Sequence, residues 1–185
     1  MESLQGKSVA ILVADGFEQI ELTEPKKALE KAGARTFVVS PAEGRVKGWN
    51  HTGWGEEIPV DVPLEQASPD EFDALLLPGG VMNPDHLRRN RIAQRFIKAF
   101  FDDGRPVAAI CHGPWTLIDA GVARGRKMTS YETIQMDLKN AGVDWVDQEV
   151  VRDGNLITSR KPDDIPAFNQ AIVEAFAGQE VGAAR

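Results

Sequence analysis

The stretch PVAAICHGPW, residues 106–115, decides the fold. It is a short, continuous apolar run that stops at Cys111 and is followed by His112, Gly113 and Pro114. An apolar run without alternation reads as a strand covered on both faces, as in a parallel sheet. The run ends abruptly and "PWTLIDAG" (114–121) reads as a short helix capped by Gly121, so a sharp strand-to-helix turn is expected at Cys-His-Gly. In open α/β sheets the carboxyl edge of the strands is where ligands bind.

Working outward, "SVAILVA" (8–14), "RTFVVS" (35–40) and "FDALLLPGG" (72–80) are further buried-strand candidates. Helices are expected between and after them. "EPKKALEKAG" (24–33) has Pro25 suited to a first turn and Gly33 to a cap. "LRRNRIAQRFIKAFFDD" (87–103) carries Leu87, Ile92, Phe96, Ile97, Phe100 and Phe101 at helical spacing and is ended by Gly104. "YETIQMDLKNAG" (131–142) and "DDIPAFNQAIVEAFAG" (163–178) complete the set. Residues 43–63 read as a hairpin or folded loop, residues 145–160 as a hairpin around Asp153-Gly154, and "GQEVGAAR" (178–185) as a loose tail. Strands alternating with helices predict an α/β sandwich with a mostly parallel sheet, in one domain without repeats or linker.

The chain has 185 residues, and its net charge of −7 comes from 28 acids against 21 bases. That balance disfavours nucleic acid and anionic membranes, both of which need a basic face. One cysteine cannot form an internal disulfide. The amino terminus lacks a basic segment followed by a long apolar stretch, and no run approaches the ~20 residues of a membrane span. The expected location is the cytoplasm. There is no Walker loop and no G-x-G-x-x-G, so no nucleotide cofactor is expected. His51, His86, His112 and Cys111 lack the close spacing of zinc ligands, so no metal is expected either.

Two readings of Cys111 stand. One is a buried small hydrophobe. The other is a nucleophile on a strained elbow, its thiolate favoured by a helix N-terminus and by His112 as base or cationic partner. Its place at a strand end before His-Gly favours the second. Neighbouring residues on a strand point to opposite faces, so contact between Cys111 and His112 requires a turn at the pair. Beside them, "LLLPGG" frees backbone amides: the N–H of Gly80 with that of His112 makes an oxyanion hole, although Pro-Gly-Gly is also a common plain turn. In "ADGFEQIE" (14–21), Glu18 falls at the same edge of the sheet. Kept protonated by burial it donates to the sulfur; otherwise it is a solvated acid in a first helical turn.

Taken together, "ADGFEQIE", "FDALLLPGG", "AAICHGPWTLIDAGV", "RGRKMTSY", "AGVDWVDQEVVRDGNLITSR" and the late Pro162, Asp164, Phe168 pattern resemble the PfpI family. That family belongs to the superfamily of the parkinsonism-associated protein and is related to class I glutamine amidotransferases. The resemblance covers roughly residues 7–177. It implies a three-layer flavodoxin-like sandwich, Cys111 as nucleophile, Glu18 hydrogen-bonded to its sulfur, and the Gly80 and His112 amides as oxyanion hole beside Gly79. It also implies that an acid after Pro-Gly-Gly, matched here by Asp85, reaches His112 from a neighbouring subunit of a homo-oligomer, commonly a dimer and sometimes a hexamer. The alternative for Asp85 is a helix N-cap. "GWNHTGWGEEIPVDVPL" (48–64) is similar to a stress-protein subgroup, which places His51, Trp54 and Trp115 at the pocket mouth; core or dimer contact is the other role for the tryptophans. Tyr131 and Arg160 are further pocket candidates. The resemblance implies removal of glyoxal and methylglyoxal adducts or a cofactor-free glyoxalase reaction, with peptide hydrolysis as the alternative. A third reading is a redox-sensing or chaperone-like stress protein that oxidises Cys111 to a sulfinate.

Overall fold

The computed structural model describes residues 3–178. Along them run β1 (Ser8–Leu12), β2 (Phe17–Glu18), α1 (Gln19–Lys31), β3 (Arg35–Ser40), β4 (Arg45–Asn50), β5 (Gly53–Pro59) and β6 (Val62–Pro63). Then follow β7 (Ala74–Leu77), α2 (Met82–Arg88), α3 (Arg91–Asp102), β8 (Val107–Ile110), α4 (Trp115–Asp119) and β9 (Lys127–Met128). The last are α5 (Gln135–Asn140), β10 (Asp144–Trp145), β11 (Val150–Asp153), β12 (Leu156–Ser159) and α6 (Ile165–Phe176).

The main sheet has the order β11-β12-β8-β7-β1-β3-β6. It is parallel throughout except for β11, which pairs antiparallel with β12 across the expected Asp153-Gly154 turn. Every residue of β1, β7 and β8 is buried, as continuous apolar strands between two helical layers require. Alternate side chains serve the two faces. Ala10, Leu12, Leu75, Leu77, Val107 and Ala109 pack with Phe96, Phe100, Leu117 and Leu138 of α3, α4 and α5. Val9, Ile11, Leu76, Ala108 and Ile110 pack with Leu22, Leu29, Phe168 and Ile172 of α1 and α6. This is the expected three-layer flavodoxin-like sandwich, and it brings the carboxyl ends of β1, β7, β8 and β12 to one edge.

Several expectations change in detail. Pro25 is not in a first turn: α1 starts six residues earlier, at Gln19, and Pro25 lies buried inside it. The predicted helix over 87–103 is two helices, because the Asn90 side chain accepts from Ile92 N–H and Ala93 N–H at 2.9 and 3.1 Å and starts α3 anew. Asp85 lies inside α2 and is not an N-cap. Residues 132–134 form a 3₁₀ turn before α5. Trp145 leaves the predicted hairpin to pair in a small two-stranded sheet of β9 and β10. Within the 43–63 segment, residues 45–59 form the β4–β5 hairpin, joined to β2 in a separate three-stranded sheet, and β6 returns to the main sheet beside β3. Most of the tail, residues 179–185, lies outside the described residues.

Fully buried Asn83 of α2 locks the sheet edge together. Its Oδ1 accepts from Ala14 N–H at 2.7 Å, just past β1, and its Nδ2 donates to the Pro78 and Gly79 carbonyls at 3.0 Å. Asn83→Ala strands these buried backbone groups without partners. The expected loss is on the order of 3 kcal/mol, read as a lower urea midpoint at unchanged slope.

Candidate active site

Strand β8 ends at Ile110, and Cys111 follows in a left-handed conformation with φ 63°. A continuing strand would send Cys111 to the α3–α5 face, after Ile110 on the other. The left-handed turn instead places it with the α1–α6 cluster. Backbone bonds hold the turn: Cys111 N–H donates to Ser159 O at 3.1 Å, Tyr131 N–H to Cys111 O at 2.9 Å, and Gly113 N–H to Ile110 O at 2.9 Å. A Cβ at Gly113 would stand 2.6 Å from the Leu77 carbonyl, so the corner accepts only glycine there. The expected turn at the Cys-His pair is present, and His112 Nδ1 lies 3.3 Å from the Cys111 sulfur.

The carboxyl group at the sulfur belongs to Glu21, not to Glu18. Glu21 is fully buried on α1 beside the Cys111 thiol; its Oε1 accepts from Gly79 N–H at 3.1 Å, and its Oε2 is buried without another hydrogen-bond partner. Glu18 ends β2 at the start of α1, half-buried, and its carboxylate accepts from His51 N–H at 3.4 Å. The reason is helical geometry. Glu21 shares a face with Pro25 and Leu29, at i+4 and i+8, and that face packs on the sheet. An acid in line with an apolar stripe was the available signal.

The two glycines before α2 complete the frame. A Cβ at Gly79 would meet Glu21 Oε1 at 2.6 Å and Cys111 Cβ at 2.7 Å, and one at Gly80 would meet the Gly16 carbonyl at 2.5 Å. The backbone amides of Gly80, at φ 76°, and His112 lie beside the sulfur and favour its thiolate.

Electrostatically the site is the reverse of a simple activated thiol. Burial, then the Glu21 charge, push the Cys111 thiol well above its ordinary range; the Gly80 and His112 amides oppose them. Burial and the nearby Glu18 charge push Glu21 up to about 8. Burial lowers His112, which is therefore a neutral ring at neutral pH. A protonated Glu21 removes the opposing charge and donates to the sulfur, so the pair carries one negative charge at a time.

Around His112, Tyr131 stacks on the ring at 5.0 Å between centroids and Trp115 meets it edge-on at 5.4 Å. Trp115 is braced by a hydrogen bond to Asp137 at 2.8 Å and by Arg88 over its face. Thr133 Oγ1 lies 3.3 Å from His112 Nε2, a contact that the sequence reading missed. Asp85 is exposed on α2 and, among the described residues, forms no hydrogen bond to His112. His51 and Trp54 ride on the β4–β5 hairpin, beside Glu18 of β2; Trp54 packs on Trp49 and is half exposed. Arg160 is held by Asp164 and Asp147 at 2.8 and 2.9 Å and serves to anchor the end of β12. A cavity of about 440 Å³ lies apart from the sulfur, lined by Ala14, Asp15, Pro41, His86, Arg89 and Asn90 among others. Among the described residues no cluster of three or more His, Cys, Asp or Glu side chains is arranged to hold a metal. Nor is any described helix long and apolar enough to cross a membrane.

The DJ-1/PfpI family model matches residues 7–175. A deglycase of Thermococcus kodakarensis is 46% identical over 166 residues, covering 90% of this chain and 97% of its own. General stress protein 18 of Bacillus subtilis is 47% identical over 167 residues, covering 89% and 95%. Protein/nucleic acid deglycase 2 of Escherichia coli is 46% identical over 167 residues, covering 89% and 94%. Among solved structures, DJ-1beta of Drosophila melanogaster superposes with a TM-score of 0.85 at 32% identity, covering 94% of this chain and 91% of its own.

Glu21 rises from 4.5 to about 8 on folding, so between those values the native protein holds a proton that the unfolded chain has lost. Its contribution to stability is full below about 4.5, falls as pH rises, and is gone above about 8. Glu21→Gln keeps the shape and removes the titration. Urea unfolding at pH 5, 7 and 9 is therefore expected to show wild type losing stability relative to Glu21→Gln across that range; a constant difference would contradict the assignment.

Proposed function

The chain belongs to the DJ-1/PfpI family, and from that premise we propose that it is a cysteine-dependent deglycase that clears glyoxal and methylglyoxal adducts. The observation that carries this reading is the Cys111 sulfur held between Glu21, the His112 ring and two backbone amides. The deglycase names of its relatives in Thermococcus kodakarensis and Escherichia coli support the substrate class.

The thiol proton passes to His112 Nδ1, with neutral Glu21 donating to the sulfur as charge forms there. The thiolate then takes the place of the amine at the adduct's carbinol carbon: a C–S bond forms as the C–N bond breaks, and the amine leaves with the proton held by His112. Transfer of that carbon's hydrogen to its carbonyl neighbour through an enediol gives a thioester. Water adds to the thioester carbonyl, whose electron pair moves to oxygen under the Gly80 and His112 amides before the C–S bond breaks and the thiol is restored. Overall, one water enters and one amine and one 2-hydroxy acid leave. Oxidation of the carbinol carbon is matched by reduction of its carbonyl neighbour, so the chemistry balances without an external redox partner.

A peptide bond has a poor leaving amine and calls for a histidine backed by an acid. Within the chain His112 Nε2 faces the Thr133 hydroxyl, which favours adducts over peptides. In a homo-oligomer, Asp85 of a neighbouring copy would supply that acid, its exposed place on α2 leaving it available. The cytoplasm suits this reading, because a lone thiol stays reduced there.

The test is lactate release from methylglyoxal-treated amines and thiols. Cys111→Ser is expected to abolish turnover and Glu21→Ala to lower it roughly 10²-fold. Glu18→Gln is expected to stay within about threefold, since Glu18 acts only through its charge. Wild-type turnover surviving in Cys111→Ser would overturn the assignment.

A further inference from the structure

We propose that Thr133 is a positioning residue for His112, fixing the ring tautomer that accepts the Cys111 proton. The inference deepens the deglycase reading and rests on it for its kinetic arm. Burial keeps His112 neutral, so only one ring nitrogen carries a proton. For Nδ1, 3.3 Å from the sulfur, to accept the thiol proton, Nε2 must hold the ring's own proton and needs an acceptor. Among the described residues of one chain the Thr133 hydroxyl, 3.3 Å from Nε2, is the side-chain partner there, and a neighbouring copy's Asp85 would add a second acceptor at the same ring edge in an oligomer. Thr133 lies on the exposed side of its 3₁₀ turn, so its own O–H can donate to water.

The surroundings fix this geometry. Tyr131, two residues earlier, stacks on the ring and ties its amide to the Cys111 carbonyl, so the segment that carries Thr133 is pinned to the elbow itself. Trp115 meets the ring edge-on at 5.4 Å. When the thiol proton moves, the S–H bond breaks, an Nδ1–H bond forms, and the ring becomes a cation whose Nε2–H already points at an oxygen. The step leaves a thiolate and an imidazolium, with no other reactant. A ring flipped or held as the Nδ1–H tautomer has no lone pair for the thiol.

The test compares Thr133→Val, which keeps the shape, and Thr133→Ser, which keeps the hydroxyl. Ring ¹⁵N chemical shifts of His112, assigned with His51→Gln and His86→Gln, report the tautomer at a pH above the histidine titration. The expected result is an Nε2–H ring in wild type and Thr133→Ser and a mixed or Nδ1–H ring in Thr133→Val. Lactate release should show kcat about tenfold lower in Thr133→Val with KM little changed, and recovery in Thr133→Ser. An unchanged tautomer in Thr133→Val overturns the proposal whatever the rates, and so does a wild-type kcat in that variant. If wild type releases no lactate, the deglycase reading fails, and the tautomer measurement still decides the role of Thr133.

Discussion

The left-handed turn at Cys111 is the constraint on which the site depends. A non-glycine residue at φ 63° costs about 1–2 kcal/mol, so the neighbouring structure has to impose it. Three backbone hydrogen bonds and a glycine with no room for a Cβ do so. Without the turn, strand alternation would carry the sulfur to the face of α3, α4 and α5, away from Glu21. The strain therefore selects the face on which the chemistry is built.

That placement also sets the electrostatics. A helix N-terminus was expected to lower the thiol pKa, but α4 has only five residues. The amides of Gly113 and Trp115 at its start are spent on the carbonyls of Ile110 and His112. Their dipoles are not free for the sulfur. The Gly80 and His112 amides act on it instead, against burial and against the Glu21 charge. A buried carboxyl and a buried thiol side by side cannot both ionise, so the carboxyl becomes a donor and the sulfur takes the charge when chemistry demands it.

The strands were legible because they are continuous apolar runs, and the elbow because a cysteine followed by His-Gly-Pro has few other uses at a strand end. Glu18 was misread because both glutamates lie in the same eight-residue stretch at the same sheet edge. Separating them requires knowing where α1 begins. Pro25 suggested a start near residue 24, whereas the helix begins at Gln19 and turns Glu21 inward with Pro25 and Leu29. Thr133 was invisible for a different reason: it lies 21 residues from His112, and no periodicity links them.

By itself the sequence determined the layers of this protein, the strand order's parallel character and the identity of the reactive atom. Those follow from local physics: apolar runs must be covered, glycines permit tight corners, and one thiol is all the chain has. The tertiary structure decided which acid meets that sulfur, which way the histidine faces, and whether the thiol is eased or opposed in losing its proton. Those depend on contacts between β8, α1 and the segment after β9, and on the burial that only their packing creates.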